Sequence, residues 1–336
     1  MIQGCPVEVL DNIFECMAYS DPENAQANLC SLMLTCSYFG KIAKRHFIRI
    51  VCLPNAEKVN AFAGHLMQLV EGGEYGNRVL PIQHLAVAGT YRIHRAPSDP
   101  RRSDAEGEAE RVVPFIITTA APSLLTLAIF GVNASRGTGW TSDGEESCVP
   151  DGTAFPRLRD LIALEQGVIA LVLWDGKGEP DKQACQLRHP SLRRLYIHHD
   201  GYDSGGSLPL TLPYLDDLRL EMLNEGYSKP ILREEVVHVR SLIIDAPRYS
   251  LFTMDGSSMY RQSRDEYARK ISIYQTLIDE VGNSERNGIV VPIAGFTHET
   301  NRGRILSGWA DAVIGGEGCW TTAWIPTIPY TGRYED

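Results

Sequence analysis

Four stretches of the chain repeat one short pattern, Pro-x-Leu-x-x-Leu-x-apolar, and that repetition limits the available folds more than any other feature. The copies are Pro122-Ser-Leu124-Leu-Thr-Leu127-Ala-Ile129, Pro156-Arg-Leu158-Arg-Asp-Leu161-Ile-Ala163, Pro190-Ser-Leu192-Arg-Arg-Leu195-Tyr-Ile197 and Pro213-Tyr-Leu215-Asp-Asp-Leu218-Arg-Leu220. A copy without proline runs Val239-Arg-Ser-Leu242-Ile-Ile244, and Ile82-Gln-His-Leu85-Ala-Val87 fits as an earlier member. The second leucines stand at 127, 161, 195, 218 and 242, in steps of 34, 34, 23 and 24 residues. Those periods suit a short strand followed by a return segment. Alternation such as Leu195-Tyr-Ile197 puts every second side chain on one face. Each unit exposes an apolar face that only its neighbours cover, so the strands are expected to stack in parallel. The plainer alternative is an ordinary α/β domain whose strands happen to follow prolines.

A different periodicity governs the first fifty residues. Val7, Leu10, Ile13, Phe14 and Met17 recur at three- and four-residue steps, the stripe of a helix that opens at Pro6. Ser20-Asp21-Pro22 breaks it, with Asp21 and Asn24 as turn or cap residues. Leu29, Leu32, Met33 and Cys36 form a second stripe; Phe39, Ile42, Ala43 and Phe47 form a third, which runs into the extended Ile48-Arg49-Ile50-Val51. Three short helices enclose little core of their own, so part of this apolar surface is expected to seek a partner.

Three pieces in this order carry a family likeness: Cys-Pro-Val-Glu-Val-Leu-Asp-Asn-Ile-Phe-Glu at 5–15, Leu-Met-Leu-Thr-Cys-Ser-Tyr-Phe at 32–39 and Ile-Ala-Lys-Arg-His-Phe-Ile-Arg-Ile-Val at 42–51. Together they resemble an F-box, with Cys5-Pro6 where the family pattern usually opens Leu-Pro. The resemblance implies docking onto the Skp-type adaptor of an SCF ubiquitin ligase, and through it a cullin. The residues it assigns to that contact are Pro6, Val7, Leu10, Ile13, Phe14, Leu32, Cys36, Phe39 and Ile42. The proline-led repeat in turn resembles the irregular leucine-rich repeats often joined to an F-box, although the usual Asn or Cys ladder position is not clearly filled. The implied role is a non-catalytic substrate-recognition subunit, with a target protein held by the repeat domain. A repeat-based scaffold unconnected with ubiquitin ligases is the alternative, its N-terminal helices then being a cap.

The expected layout is α/β: an F-box-like module at 1–52, an irregular leucine-rich-repeat-like solenoid with a parallel sheet at 53–262, and a C-terminal helix and cap at 263–336. Residues 54–70 have the pattern of an amphipathic helix. The polar stretches 95–111 and 135–152 are expected to be mobile loops, because they hold too little apolar surface to offset their ordering entropy. Residues 263–281 and 304–314 have helical patterns, 288–294 that of a strand, and the tail through Trp320 is expected to cap the open end of the solenoid.

With 42 acidic and 32 basic residues the chain carries a formal charge of −10, which disfavours a general phosphate-backbone binder. Its 8 cysteines contain no Cys-x-x-Cys pair, and the five within the first 52 residues are expected to be buried thiols in a reducing compartment. No apolar run approaches a membrane span and no leader pattern opens the chain, so the expectation is a soluble intracellular protein of cytoplasm or nucleus. No nucleic acid, membrane, cofactor or metal is expected. Asp203-Ser204-Gly205-Gly206 suggests a nucleophile loop but has no His and Asp companions in context. His198-His199-Asp200 places adjacent histidines on opposite sides of a strand. Gly315-Gly316-Glu317-Gly318 lacks the Lys-Ser/Thr of a phosphate loop, and Gly137-x-Gly139 lacks a strand–helix setting. A hydrolase acting at loops 135–152 and 198–207 is the third and weakest reading.

Overall fold

A computed structural model describes residues 5–72, 79–88, 104–130, 153–163, 189–199, 215–222, 239–248, 287–294 and 298–320. It is mixed α/β. Three N-terminal helices, α1 (Val7–Ser20), α2 (Ala25–Met33) and α3 (Ser37–Ala43), lead into strand β1 (Ile50–Leu53). Helix α4 (Ala56–Glu71), β2 (His84–Ala88), α5 (Asp104–Ala120) and β3 (Thr126–Phe130) follow. Five more strands come next: β4 (Asp160–Ala163), β5 (Arg194–His199), β6 (Asp217–Met222), β7 (Ser241–Arg248) and β8 (Asn287–Ala294). Helix α6 (His298–Val313) and a 3₁₀ turn (Gly318–Trp320) close the described chain.

All eight strands form one sheet in chain order, and every neighbouring pair is parallel. The register follows the repeat. Val51, Leu85, Leu127, Leu161, Leu195, Leu218 and Leu242 stand in one row across the sheet. The earlier member around Leu85 is thus in line with the later copies, and β1 adds Val51 ahead of it. The serine of two Pro-Ser-Leu copies also has a use that the pattern did not reveal. Ser123 Oγ lies 2.6 Å from the Leu80 carbonyl and Ser191 Oγ 2.6 Å from the Pro156 carbonyl, so each stitches its unit to the one before.

Alternation divides the strand residues between two cores. Val51, Leu53, Leu85, Val87, Leu127, Ile129, Leu161, Leu195 and Ile197 pack on one face, in a core shared with α4, α5 and the connection residues Phe155, Leu158 and Leu192. On the other face Ile50, Cys52, Ala86, Ala128, Ile162 and Tyr196 meet α1–α3 together with Ile305, Trp309 and Val313 of α6. Described helices therefore lie on both faces of the parallel sheet, where its apolar rows need cover. The N-terminal helices do not enclose a separate core, and the α6 segment lies against a face of the sheet rather than at its open end.

Two local expectations are corrected. Residues 104–111 are not loop but the first half of α5, where Ala109 is buried and Val113, Ile116, Ile117 and Ala120 continue the same stripe. Ala and Glu are strong helix formers even where apolar content is low, and the following turns anchor them. The helix even accommodates Pro114, buried within it. Of the N-terminal cysteines only Cys52 is buried; Cys16, Cys30 and Cys36 are exposed and Cys5 is half-buried. The helical stripes are wider than the faces they bury, and these thiols lie on the outer margins. The amphipathic helix at 54–70 is α4, started by Asn55, whose Oδ1 accepts from Lys58 N at 3.0 Å. Residues 95–103 of the first expected loop, the expected loop at 135–152 and the helix at 263–281 lie outside the described residues.

Truncating the ladder tests this division. Leu161→Ala, at a side chain with 0% exposure, should lower unfolding free energy by about 3 kcal/mol. Leu34→Ala, at 87% exposure, should change it by less than about 0.5 kcal/mol. Urea unfolding followed by far-UV circular dichroism measures both.

Candidate functional site

The nine residues assigned to adaptor contact divide by burial. Leu10, Phe14 and Ile42 are in the core, Phe14 meeting the edge of Phe39 with ring centroids 5.3 Å apart. These residues hold α1 and α3 to each other and to the sheet, so their side chains are not presented outward. Leu32 and Phe39 are half-buried, and Pro6, Val7, Ile13 and Cys36 are exposed. Cys36 belongs to the start of α3 and not to the α2 stripe: its Sγ accepts from Phe39 N at 3.4 Å. Two exposed residues that the motif did not assign, Val9 at 45% and Leu34 at 87%, extend the outward apolar set.

The outer side of α1 carries a shallow groove of about 440 Å³, lined by Val9, Asn12, Ile13, Cys16, Met17 and Ser20. Helix α1 is tied on its other flanks by a hydrogen bond and an ion pair. Asp11 Oδ1 lies 2.9 Å from His46 Nε2, and Glu15 Oε1 accepts from Arg49 Nη1 at 2.7 Å. The positions i, i+4 and i+8 of Leu10, Phe14 and Ala18 face inward, which turns Val9 and Ile13 outward. Val9 and Ile13 thus stay exposed beside the groove among the described residues.

A second concentration of chemistry lies on the sheet face beneath α6. The row preceding the leucines reads Ile50, His84, Thr126, Asp160, Arg194, Asp217 and Ser241. Asp160 accepts both Arg194 Nε and Arg194 Nη2 at 2.6 Å, a bidentate pair. Burial disfavours the charge of Arg194, but the hydrogen bonds and charge of Asp160, with Asp217 beyond, outweigh it and hold its pKa above the ordinary value. Burial pushes the Asp217 carboxyl up, against the pull of Arg240 and Arg194. Arg219, fully buried, donates to the Cys319 carbonyl and stands 5.1 Å from the Tyr196 ring centroid. Burial raises the Cys319 thiol to about 12, which makes it inert as a nucleophile.

The same row holds a directed hydrogen-bond relay. Trp309 Nε1 donates to Thr126 Oγ1 at 3.2 Å, and Thr126 Oγ1 lies 3.0 Å from His84 Nδ1. His84 Nε2 is 3.4 Å from the Tyr19 hydroxyl, which donates to Gln83 Oε1 at 3.2 Å. One assignment satisfies every member: the Thr126 hydroxyl donates to Nδ1, so the neutral His84 ring carries its proton on Nε2 and donates to Tyr19. The relay links α1, the sheet and α6.

No family model, no curated protein and no solved structure matches the chain. Among the described residues no three His, Cys, Asp or Glu side chains converge as metal ligands, and no helix is long and apolar enough to cross a membrane. His198 and His199 fall on β5 opposite Glu221 and Met222 of β6. Asp200, Ser204 and Gly137-x-Gly139 lie outside the described residues, and Gly315 and Gly318 adopt positive φ in the turn after α6.

Burial lowers the His84 pKa from 6.5 to about 4. Above pH 6.5 neither folded nor unfolded chain protonates this ring. Between pH 6.5 and 4 the unfolded chain binds the proton and the folded chain does not, so stability falls; below 4 the loss levels off. The full loss is about 3 kcal/mol. Urea unfolding at pH 7, 5.5 and 4 should show this decline, and His84→Gln should remove it from the pH slope.

Proposed function

We propose that the chain is a substrate-recognition subunit of an SCF-type ubiquitin ligase, its N-terminal helices seated on a Skp-type adaptor and its repeat domain turned to a target protein. The observation that carries this reading is the outward apolar strip of α1, Val9 and Ile13 over the groove, in a helix whose inner residues are already spent on the core. The order of the three F-box-like pieces supports it. The register of Leu85, Leu127, Leu161, Leu195, Leu218 and Leu242 supports an irregular leucine-rich-repeat-like solenoid as the target-holding part. The work of such a subunit is positioning: it raises the effective concentration of target lysines near a ubiquitin-loaded enzyme and supplies no nucleophile, acid or base.

A specific observation favours the scaffold reading as runner-up. The core of α1–α3 is continuous with the sheet and with α6, as it would be for a cap. The two readings differ in whether the outer side of α1 has a partner.

Substitutions at Leu10 or Phe14 would damage the fold and cannot separate them. The exposed pair can. Val9→Asp with Ile13→Asp should leave the circular dichroism spectrum and Tm unchanged, because both side chains already face water. Co-purification of adaptor and cullin with the full chain should be lost in the double variant, an affinity drop of about 100-fold or more from burying two carboxylates at an apolar contact. Equal capture by variant and parent would remove α1 from the contact. Failure of the parent chain to capture any adaptor would give the lead to the scaffold.

A further inference from the structure

We propose that the exposed arginines at the N-terminal ends of β4, β5 and β7, namely Arg157, Arg159, Arg193 and Arg240, form a docking rim for a peptide segment rich in Asp and Glu. This names the chemistry of the segment that the repeat domain holds. It rests on that half of the reading above and not on adaptor docking.

The rim follows from the repeat. The two residues between the leucines of each copy stand on neighbouring rungs of the ladder. The second of them gives the row Asp160, Arg194 and Asp217, in register on β4, β5 and β6. Its charges alternate in sign, and Asp160 grips Arg194 through both carboxylate oxygens. That row settles its own charge. The first of them gives another row: Arg193 N donates to the Arg159 carbonyl at 2.8 Å, Asp216 N to the Arg193 carbonyl at 2.7 Å and Arg240 N to the Asp216 carbonyl at 2.8 Å. Here Arg159 and Arg193 stand side by side with the same sign, an arrangement that costs free energy between neighbouring strands. Arg157 adds a third positive charge, and all four arginines are exposed.

Little within the fold answers this charge. Arg157 and Arg159 form no ion pair among the described residues. Arg240 Nη2 reaches Asp217 Oδ1 only at 3.8 Å, with its side chain 72% exposed, a loose surface pair of small worth. In a chain of charge −10 the rim is a local reversal of sign, which draws an anionic partner to this end of the sheet. Guanidinium groups hold carboxylates two bonds at a time, the geometry that Asp160 and Arg194 already adopt one rung away. Asp216 decides between anions. It stands between Arg193 and Arg240 in the row, so an unbroken run of phosphates, as in a nucleic-acid backbone, would set one of them against a carboxylate. A peptide places a neutral or basic residue there and keeps its acids for the arginines.

Fluorescence anisotropy on the full chain tests this, with a labelled synthetic peptide of alternating Glu and Ser as probe. The peptide should bind at low ionic strength and weaken as NaCl is raised. Arg157→Gln with Arg159→Gln should weaken it about tenfold, the loss of two charge-assisted contacts at an exposed site, with circular dichroism and Tm unchanged. Lys41→Gln with Lys58→Gln removes the same charge from exposed sites on α3 and α4 and should change affinity by no more than about twofold. No binding by the parent chain, or equal weakening by the two double variants, would overturn the proposal. So would equal binding of a Lys-Ser peptide, or tighter binding of a single-stranded oligonucleotide. The Val9→Asp, Ile13→Asp chain should bind the peptide as the parent does, so the rim and the adaptor contact stand or fall separately.

Discussion

A parallel sheet has no side that can be left to water unless its residues are polar there, and this sheet has apolar side chains on both. That constraint governs the rest of the structure. The leucine row through Val51, Leu85, Leu127, Leu161, Leu195 and Leu218 demands cover, and α4 and α5, with Phe155, Leu158, Leu192, Leu215 and Val239 of the later connections, share its core. The opposite face, with Ala86, Ala128, Ile162 and Tyr196, receives its cover from the two ends of the described chain: α1–α3 before β1, and α6 after β8. The first fifty residues are consequently an integral layer, and β1 (Ile50–Leu53) is both their exit and the edge of the sheet.

The leucine row was legible in the sequence because its signal is local. A proline, two leucines at a fixed spacing and an alternating apolar residue fix strand, face and register together, and six strands fall where that spacing puts them. The helix stripes of α1, α3 and α4 were legible for the same reason. Helix α5 was not, because its first half signals only by the propensity of Ala and Glu and carries little apolar content. The polar row was present in plain view: Thr126, Asp160, Arg194 and Asp217 each precede a repeat leucine, and period two sends them to the other face. What the sequence does not contain is which distant segment covers that face. The contact between Trp309 and Thr126 spans 183 residues, and no local pattern encodes it.

The candidate contact residues show a related limit. Val7, Leu10, Ile13, Phe14 and Met17 make one continuous stripe in sequence, yet Leu10 is 5% exposed and Ile13 45%. A stripe this broad covers more than one face of the helix. The packing of α2, α3 and the sheet takes the half centred on Phe14 and leaves the half centred on Val9 and Ile13. Periodicity locates an amphipathic helix; only the neighbouring elements decide which part of its apolar arc remains available.

That division gives the outward strip its meaning. Isolated exposed apolar residues are common and need no partner. Here Val9, Ile13, Cys16 and Met17 line one groove, and they do so on a helix whose orientation is set on its other flanks by Asp11 with His46 and Glu15 with Arg49. A helix free to roll would turn such a strip inward, since burial of two large aliphatic side chains is worth about 3 kcal/mol or more. The Asp11–His46 and Glu15–Arg49 contacts and the inward triad of Leu10, Phe14 and Ala18 oppose the roll. Among the described residues the exposed strip is therefore a fixed property of the fold, held outward by the packing of the rest of the helix.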